Sequence, residues 1–313
     1  MAGIGSVVMT VKSRWVPLEG AVNVRDLGGL PTSDGRETAF GRVLRSDNLQ
    51  GLTPADVRLL VDDLDLRTVV DLRTSVEVEK EGPGPLSREP RVVHRHLSLF
   101  PEGGRMTDVD ADALLPWQGA RGRPGWDGQY ADNPSVGYYV GYLRDRPDSV
   151  VAALRAVAEP DRLGAAYGDG GSDGRPGADR AGADRAGADR AGTDRAGTDR
   201  RGSALVHCAA GKDRTGVVVA LALSAVGVPR DAIVADYVAT GERLEAVLDR
   251  LRASPTYEAD LDDKPVDVHR PRAQTMQRFL GLLDERFGGP VGWLAAAGFG
   301  AEDVDRLRVR LLA

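Results

Sequence analysis

The chain has 313 residues, 42% hydrophobic and 28% charged, which is enough apolar material for a buried core and argues against wholesale disorder. Forty-one basic against forty-seven acidic side chains leave a net charge of −6, and no run of Lys or Arg tracks a nucleic-acid backbone, so nucleic acid is not expected as a partner. A single cysteine, Cys208, cannot close an internal disulfide or build a thiolate metal cage, and the four histidines are scattered, so neither a metal nor a cofactor is expected.

The opening stretch carries too short an apolar run for a signal peptide, and no segment approaches the roughly 18 apolar residues of a membrane span. The expectation is a soluble, cytoplasmic protein with no integral membrane segment; export without a signal peptide stays open. From Val22 to Leu49, Gly, Asp and Arg alternate with short apolar pieces, predicting tight turns between small strands. Thr53 to Leu64 reads as a helix: Thr53 suits the N-cap, Pro54 the first turn, and Val57, Leu60, Val61 and Leu64 share one face.

Leu66 to Thr74, with the β-branched run Thr68-Val69-Val70, predicts a buried strand, and Arg91 to Phe100 a second one after a Pro/Gly loop at 81–85. His94 and His96 would share one strand face there, with no third metal ligand nearby. Ser135 to Asp145 and Asp148 to Glu159 are expected as helices broken at Pro147.

From Gly164 to Gly202 the composition changes. The pentad AG(A/T)DR occurs four times between Ala181 and Arg200, a period that fits neither strand nor helix, with almost no apolar side chain larger than alanine after Tyr167. Residues 165–202 are therefore expected as a disordered low-complexity insert within a single domain spanning 14–313; the alternative is a repeated docking sequence.

Ala204-Leu205-Val206 predicts another short strand, and Thr215 to Gly227 a buried helix closed by Gly227 and Pro229. Asp231 is read as the cap of a further helix, followed by helical spacing in 273–289 and 302–313, so that 231–313 forms a helical layer. Helix between strands gives the expected fold class: α/β, a short, mostly parallel sheet flanked by helices, with the site at the carboxyl ends of the strands.

Between the last strand and its helix lies HCAAGKDRTG, His207 to Gly216. This order places a glycine-bearing loop at a sheet edge and a helix N-terminus, where backbone N–H groups without intrahelical partners converge on an anion. The spacing fails for a nucleoside-triphosphate loop, because Asp213 follows Gly211-Lys212 and no glycine stands five residues before Gly211. Cys208 and Arg214 stand six positions apart, so the sulfur can sit at the base of the cradle and the guanidinium close its far side on phosphate oxygens. The field that holds a phosphate dianion also favours thiolate over thiol. The expected chemistry is in-line attack by sulfur on a phosphate monoester, a cysteinyl-phosphate intermediate and hydrolysis by water, without metal.

On these residues the chain resembles the cysteine-based protein-tyrosine phosphatases, and with Lys212 and Asp213 in the loop, the bacterial protein-tyrosine phosphatase B-like branch of tyrosine and phosphoinositide phosphatases. NVRDLGG (Asn23 to Gly29), LRSDNL (Leu44 to Leu49), VVDLRT (Val69 to Thr74), IVADYV (Ile233 to Val238) and FGGPVGWLAAAGF (Phe287 to Phe299) match that branch in order. The resemblance implies Cys208 as nucleophile, Arg214 as phosphate clamp, His207 orienting the loop from beneath and Thr215 bonding the sulfur. Ala209, Ala210 and Gly211 supply loop amides to the substrate. Lys212 would reach a second anionic group, Asp213 would act near the leaving group or the loop, and 231–313 would cover the pocket as a lid.

The general acid of related enzymes falls at Glu102, with Asp108, Asp110 and Asp213 as rivals. Asn23 to Gly29 and Asp71 are expected to be structural. The expected substrate is a phosphotyrosine protein, with phosphoinositides or phosphoserine/threonine as the alternative. A sulfurtransferase and a non-catalytic phosphopeptide-binding module are the readings from other classes.

Overall fold

The computed structural model describes residues 13–100, 130, 132–160, 202–261 and 265–312. Among these, five strands form one sheet: β1 (Arg25–Asp26), β2 (Val43–Ser46), β3 (Leu66–Asp71), β4 (Val93–His96) and β5 (Ser203–His207), in the order β1-β2-β5-β3-β4. β1 pairs antiparallel with β2; every other pairing is parallel. The predicted α/β class with a mostly parallel sheet is the architecture found.

β5 is the central strand and is buried throughout, with β2 and β3 parallel on its two sides. Its last residue, His207, is level with Ser46 on one neighbour and Asp71 on the other, so the loop that follows leaves from the middle of the sheet's carboxyl edge. Strand alternation divides the core. Leu44, Val69 and Leu205 face one side, where they meet Leu60, Val61 and Leu86; Val43, Val70, Ala204 and Val206 face the other, against the long helices.

The predicted helix after Thr53 has the predicted cap, with Thr53 and Asp56 bonding each other's backbone, but only Pro54–Arg58 (α1) is α-helical; Leu59–Asp63 continues as a π-helical turn. A helix that patterning did not predict, α2 (Ser75–Glu81), follows β3. Arg91 to Phe100 contributes a shorter strand than expected, ending at His96. Pro134–Asp145 (α3) and Pro147–Ala158 (α4) are divided at Pro147, which sits in the first turn of α4.

Asp213–Ala225 (α5) is the helix that begins at the loop, and Gly227 follows it with a φ of 88°. Arg230–Ala239 (α6) starts one residue before Asp231, which therefore lies inside the first turn and does not cap it; Pro229 holds the cap position. A 3₁₀ turn at Thr240–Arg243 separates α6 from α7 (Leu244–Arg252). Then come α8 (Glu258–Leu261), α9 (Ala273–Phe287), α10 (Pro290–Ala296) and α11 (Ala301–Leu311). No helix among the described residues is long and apolar enough to cross a membrane.

Candidate active site

The loop from Cys208 to Lys212 is built by turning its carbonyls outward. Asn48 N–H donates to the Ala209 carbonyl (2.9 Å), the Asn23 amide to those of Ala210 (2.9 Å) and Gly211 (3.3 Å), and Arg45 to that of Gly211 (2.8 Å). In a trans peptide the N–H points opposite to the carbonyl, so the N–H groups of Ala210, Gly211 and Lys212 are turned toward the loop's interior. Gly211 makes this possible with a φ of 64°, and a Cβ there would stand 2.4 Å from the Ser46 carbonyl oxygen.

At the base of the loop, the Cys208 sulfur accepts a hydrogen bond from the Thr215 hydroxyl at 3.2 Å, and both residues are buried. Arg214, 1% exposed, is close enough for its guanidinium to interact electrostatically with the sulfur. Both terminal nitrogens of its guanidinium are engaged by Glu77, at 2.5 and 2.8 Å, and one also reaches the Leu72 carbonyl at 3.3 Å. The fork is thus held by protein, and Arg214 Nε is the guanidinium nitrogen with no partner among the described residues.

Glu77 is fully engaged in return. It accepts from Thr74 N–H (2.7 Å) as the second half of the α2 capping box and from the Tyr257 hydroxyl (3.0 Å). Burial opposes its ionisation, but the Arg214 guanidinium, the Thr74 N–H and the nearby Arg73 outweigh it and hold the carboxyl below its ordinary range.

Beneath the loop, three of the short motifs converge on one carboxylate. Asp236, of IVADYV, is bonded by Arg45 of LRSDNL (2.5 Å), by Arg25 of NVRDLGG (3.2 Å) and by Arg14. Arg25 also reaches the Asn23 side chain at 2.5 Å, so Asn23 and Arg45, which fix the loop carbonyls, are both anchored here. Burial and the neighbouring Arg45 lower the Arg25 guanidinium to about 9, against the pull of Asp236. Asp236 stays well below the ordinary carboxylate range because the three arginines outweigh its burial.

His207 is buried with Nε2 3.5 Å from Asp71, which Arg73 grips through Nε (2.9 Å) and a terminal nitrogen (2.6 Å). Burial pushes the imidazole down to about 4 in spite of Asp71, so the ring under the loop is neutral at pH 7. Asp213 accepts from the Tyr139 hydroxyl at 2.6 Å, and Tyr139 is 2.8 Å from the Tyr237 hydroxyl. Lys212 Nζ donates to the His269 carbonyl (2.7 Å) and stands 3.5 Å from Asp213. Ala209 packs with Leu244, Val247, Leu248 and Leu251 of α7 and with Tyr257, so helices of the C-terminal layer stand directly on the loop.

His207 to Thr215 are thus brought together, whereas Glu102, Asp108 and Asp110 lie outside the described residues. Sequence reasoning missed Glu77, whose Thr-x-x-Glu capping signature was readable at 74–77. It also missed Asp236, Arg45 and Tyr139, for which separations of 191 (Arg45 to Asp236) and 74 (Tyr139 to Asp213) residues from their partners leave no local signal.

A protein-family model described as tyrosine phosphatase family matches residues 16–168 and 189–313. The triple specificity protein phosphatase PtpB of Mycobacterium tuberculosis is 31% identical over 316 aligned positions, covering 94% of this chain and 98% of that protein. A tyrosine-protein phosphatase of Nostoc commune is 33% identical over 114 positions, 35% of this chain and 39% of that one.

Proposed function

The chain belongs to the tyrosine phosphatase family, and from that premise we propose that it hydrolyses phosphate monoesters at Cys208, with phosphotyrosine protein as the leading substrate. The observation that carries this reading is the Cys208 sulfur seated at the base of a loop whose Ala209, Ala210 and Gly211 carbonyls are bonded outward, with a buried Arg214 beside it. The thiolate sulfur attacks phosphorus as the bond to the leaving oxygen breaks, and that oxygen takes a proton from a carboxyl group. Water then attacks phosphorus, giving its proton to the same carboxylate, and the sulfur–phosphorus bond breaks to return thiolate and release inorganic phosphate.

The loop amides and Arg214 stabilise charge on the transferring group. Glu102 is proposed as the proton donor. Asp213 is the rival, and its bond from Tyr139 suits it better to holding the loop than to shuttling a proton. His207 and Thr215 hold the loop and sulfur, and Lys212 meets the substrate at the rim.

Residues 14–313 act as one catalytic domain: β5, after the insert, pairs between β2 and β3 from before it. That the family match omits 169–188 supports reading 165–202 as an insert, and the packing of α7 on Ala209 supports 231–313 as a cover. A nucleophile that is also the sole cysteine works best where thiols stay reduced, which supports cytoplasmic residence.

Phosphoinositides and phosphoserine/threonine are the alternative substrates, and the triple specificity in the name of the mycobacterial relative supports keeping more than one substrate class. Phosphate release from phosphotyrosine peptide, phosphoserine peptide and phosphoinositide by wild type and Cys208→Ser tests the reading. Turnover of phosphotyrosine peptide that disappears in the variant is expected; no release from any of the three by wild type overturns it.

A further inference from the structure

Helix α3 buries three tyrosines, Tyr138, Tyr139 and Tyr142. Tyr139 is committed to Asp213 and Tyr237. Tyr142, one turn further along, is 1% exposed, and among the described residues its hydroxyl has no hydrogen-bond partner. An O–H left unmet in the interior is costly, so this one points to a partner that the protein itself does not supply.

The surroundings identify that partner. The Tyr142 ring stacks on Tyr139 (centroids 6.2 Å apart, planes at 27°) and meets Phe100 edge-on at 5.3 Å. Phe100 in turn lies against the Arg214 guanidinium, 5.6 Å from ring centre to carbon. The phenol is therefore wedged between the residue that holds Asp213 and the ring that supports Arg214.

Burial first, and then the Asp213 carboxylate, raise the ionisation of Tyr142 well above the ordinary phenol range, with Arg214 opposing and Cys208 adding to the rise. Cys208 and Tyr142 are among the groups that bear on Arg214 in return. The neutral Tyr142 O–H thus belongs to the same buried cluster as the sulfur, the guanidinium and Asp213, where Arg214 Nε is also without a partner among the described residues.

We propose that Tyr142 is a further catalytic residue, whose hydroxyl donates a hydrogen bond to a non-bridging oxygen of the phosphoryl group held between Cys208 and Arg214. The proposal rests on the reading of that loop as a phosphate site. A neutral donor adds stabilisation that grows as negative charge gathers on the phosphoryl oxygens, and it adds no cation to a site already supplied with arginine.

The test is Tyr142→Phe, assayed for turnover of a phosphotyrosine peptide, for binding of tungstate (a tetrahedral dianion) and for thermal unfolding without anion. Turnover and tungstate affinity are expected to fall about tenfold to hundredfold, the range for a hydrogen bond to a charged group. The Tm without anion should be unchanged or higher, because the substitution removes an unmet buried hydroxyl. Unchanged turnover and tungstate affinity would overturn the proposal, and so would a lower Tm, which would mark Tyr142 as structural. If wild type neither binds tungstate nor releases phosphate, the phosphate-site reading fails and this proposal with it; wild-type binding that Tyr142→Phe retains in full sinks the Tyr142 proposal alone.

Discussion

Replacing Glu77 by glutamine removes one charge from a buried pair and leaves its shape. The carboxylate accepts two bonds from Arg214, one from Thr74 N–H and one from Tyr257, and both members of the pair are 1% exposed. Glutamine offers one acceptor oxygen and turns an N–H₂ toward a guanidinium that can only donate. Breaking one side of a buried pair costs about 3–5 kcal/mol, because the remaining charge is left uncompensated, and that is a large share of the roughly 5–15 kcal/mol that holds a domain together.

Activity should fall as well, since Arg214 loses the bonds that aim it across the loop. The assays are urea unfolding and kcat/KM on a phosphotyrosine peptide, with Glu77→Asp as the control that keeps the charge. The pair stabilises the fold above the ordinary glutamate range, and its contribution is lost only as pH falls through the lowered folded value, so the glutamine variant should also lose that acid sensitivity. If Glu77→Gln unfolds at the wild-type urea concentration and keeps wild-type kcat/KM, Glu77 does not position Arg214.

Gly211→Ala should reduce phosphatase activity by two orders of magnitude or more while Cys208 and Arg214 remain, because the added carbon meets backbone at 2.4 Å and the loop must shift; near-wild-type rates would refute the loop geometry. His207 is neutral when folded, at about 4, but takes up a proton near 6.5 when unfolded, so stability is flat above that range and falls as pH drops toward 4. Between pH 7 and pH 5 the loss is about 2 kcal/mol, read as a lower urea midpoint that His207→Gln flattens; equal wild-type midpoints at the two pH values would contradict it.

What was legible in the sequence was whatever its local pattern states. The run from Ser203 to Ala220 carries a strand, a phosphate loop and a helix in register, and the structure sets Cys208, Thr215 and Arg214 around one space. Thr53 and Pro54 announced a helix start, although the shift to a π-turn at Leu59 has no comparable signature.

The support of the loop was not legible because it is assembled across the chain. Asn23, Arg45 and Asp236 sit in three separate motifs, and only the tertiary fold, strand pairing for the first two and the placement of α6 for the third, brings them together beneath Gly211. Glu77 is the intermediate case: its capping box marks a helix start, but its second task, holding Arg214 across 137 positions, is visible only in three dimensions.

The claim on which the rest depends is that Cys208 carries the phosphoryl group. Wild-type protein quenched in acid during turnover of a phosphotyrosine peptide, digested and examined by mass spectrometry, tests it directly. One added phosphoryl group is expected on the peptide containing Cys208, absent in Cys208→Ser, whose turnover is abolished. A phosphoryl group on another residue, or a Cys208→Ser protein that still turns over, would contradict it.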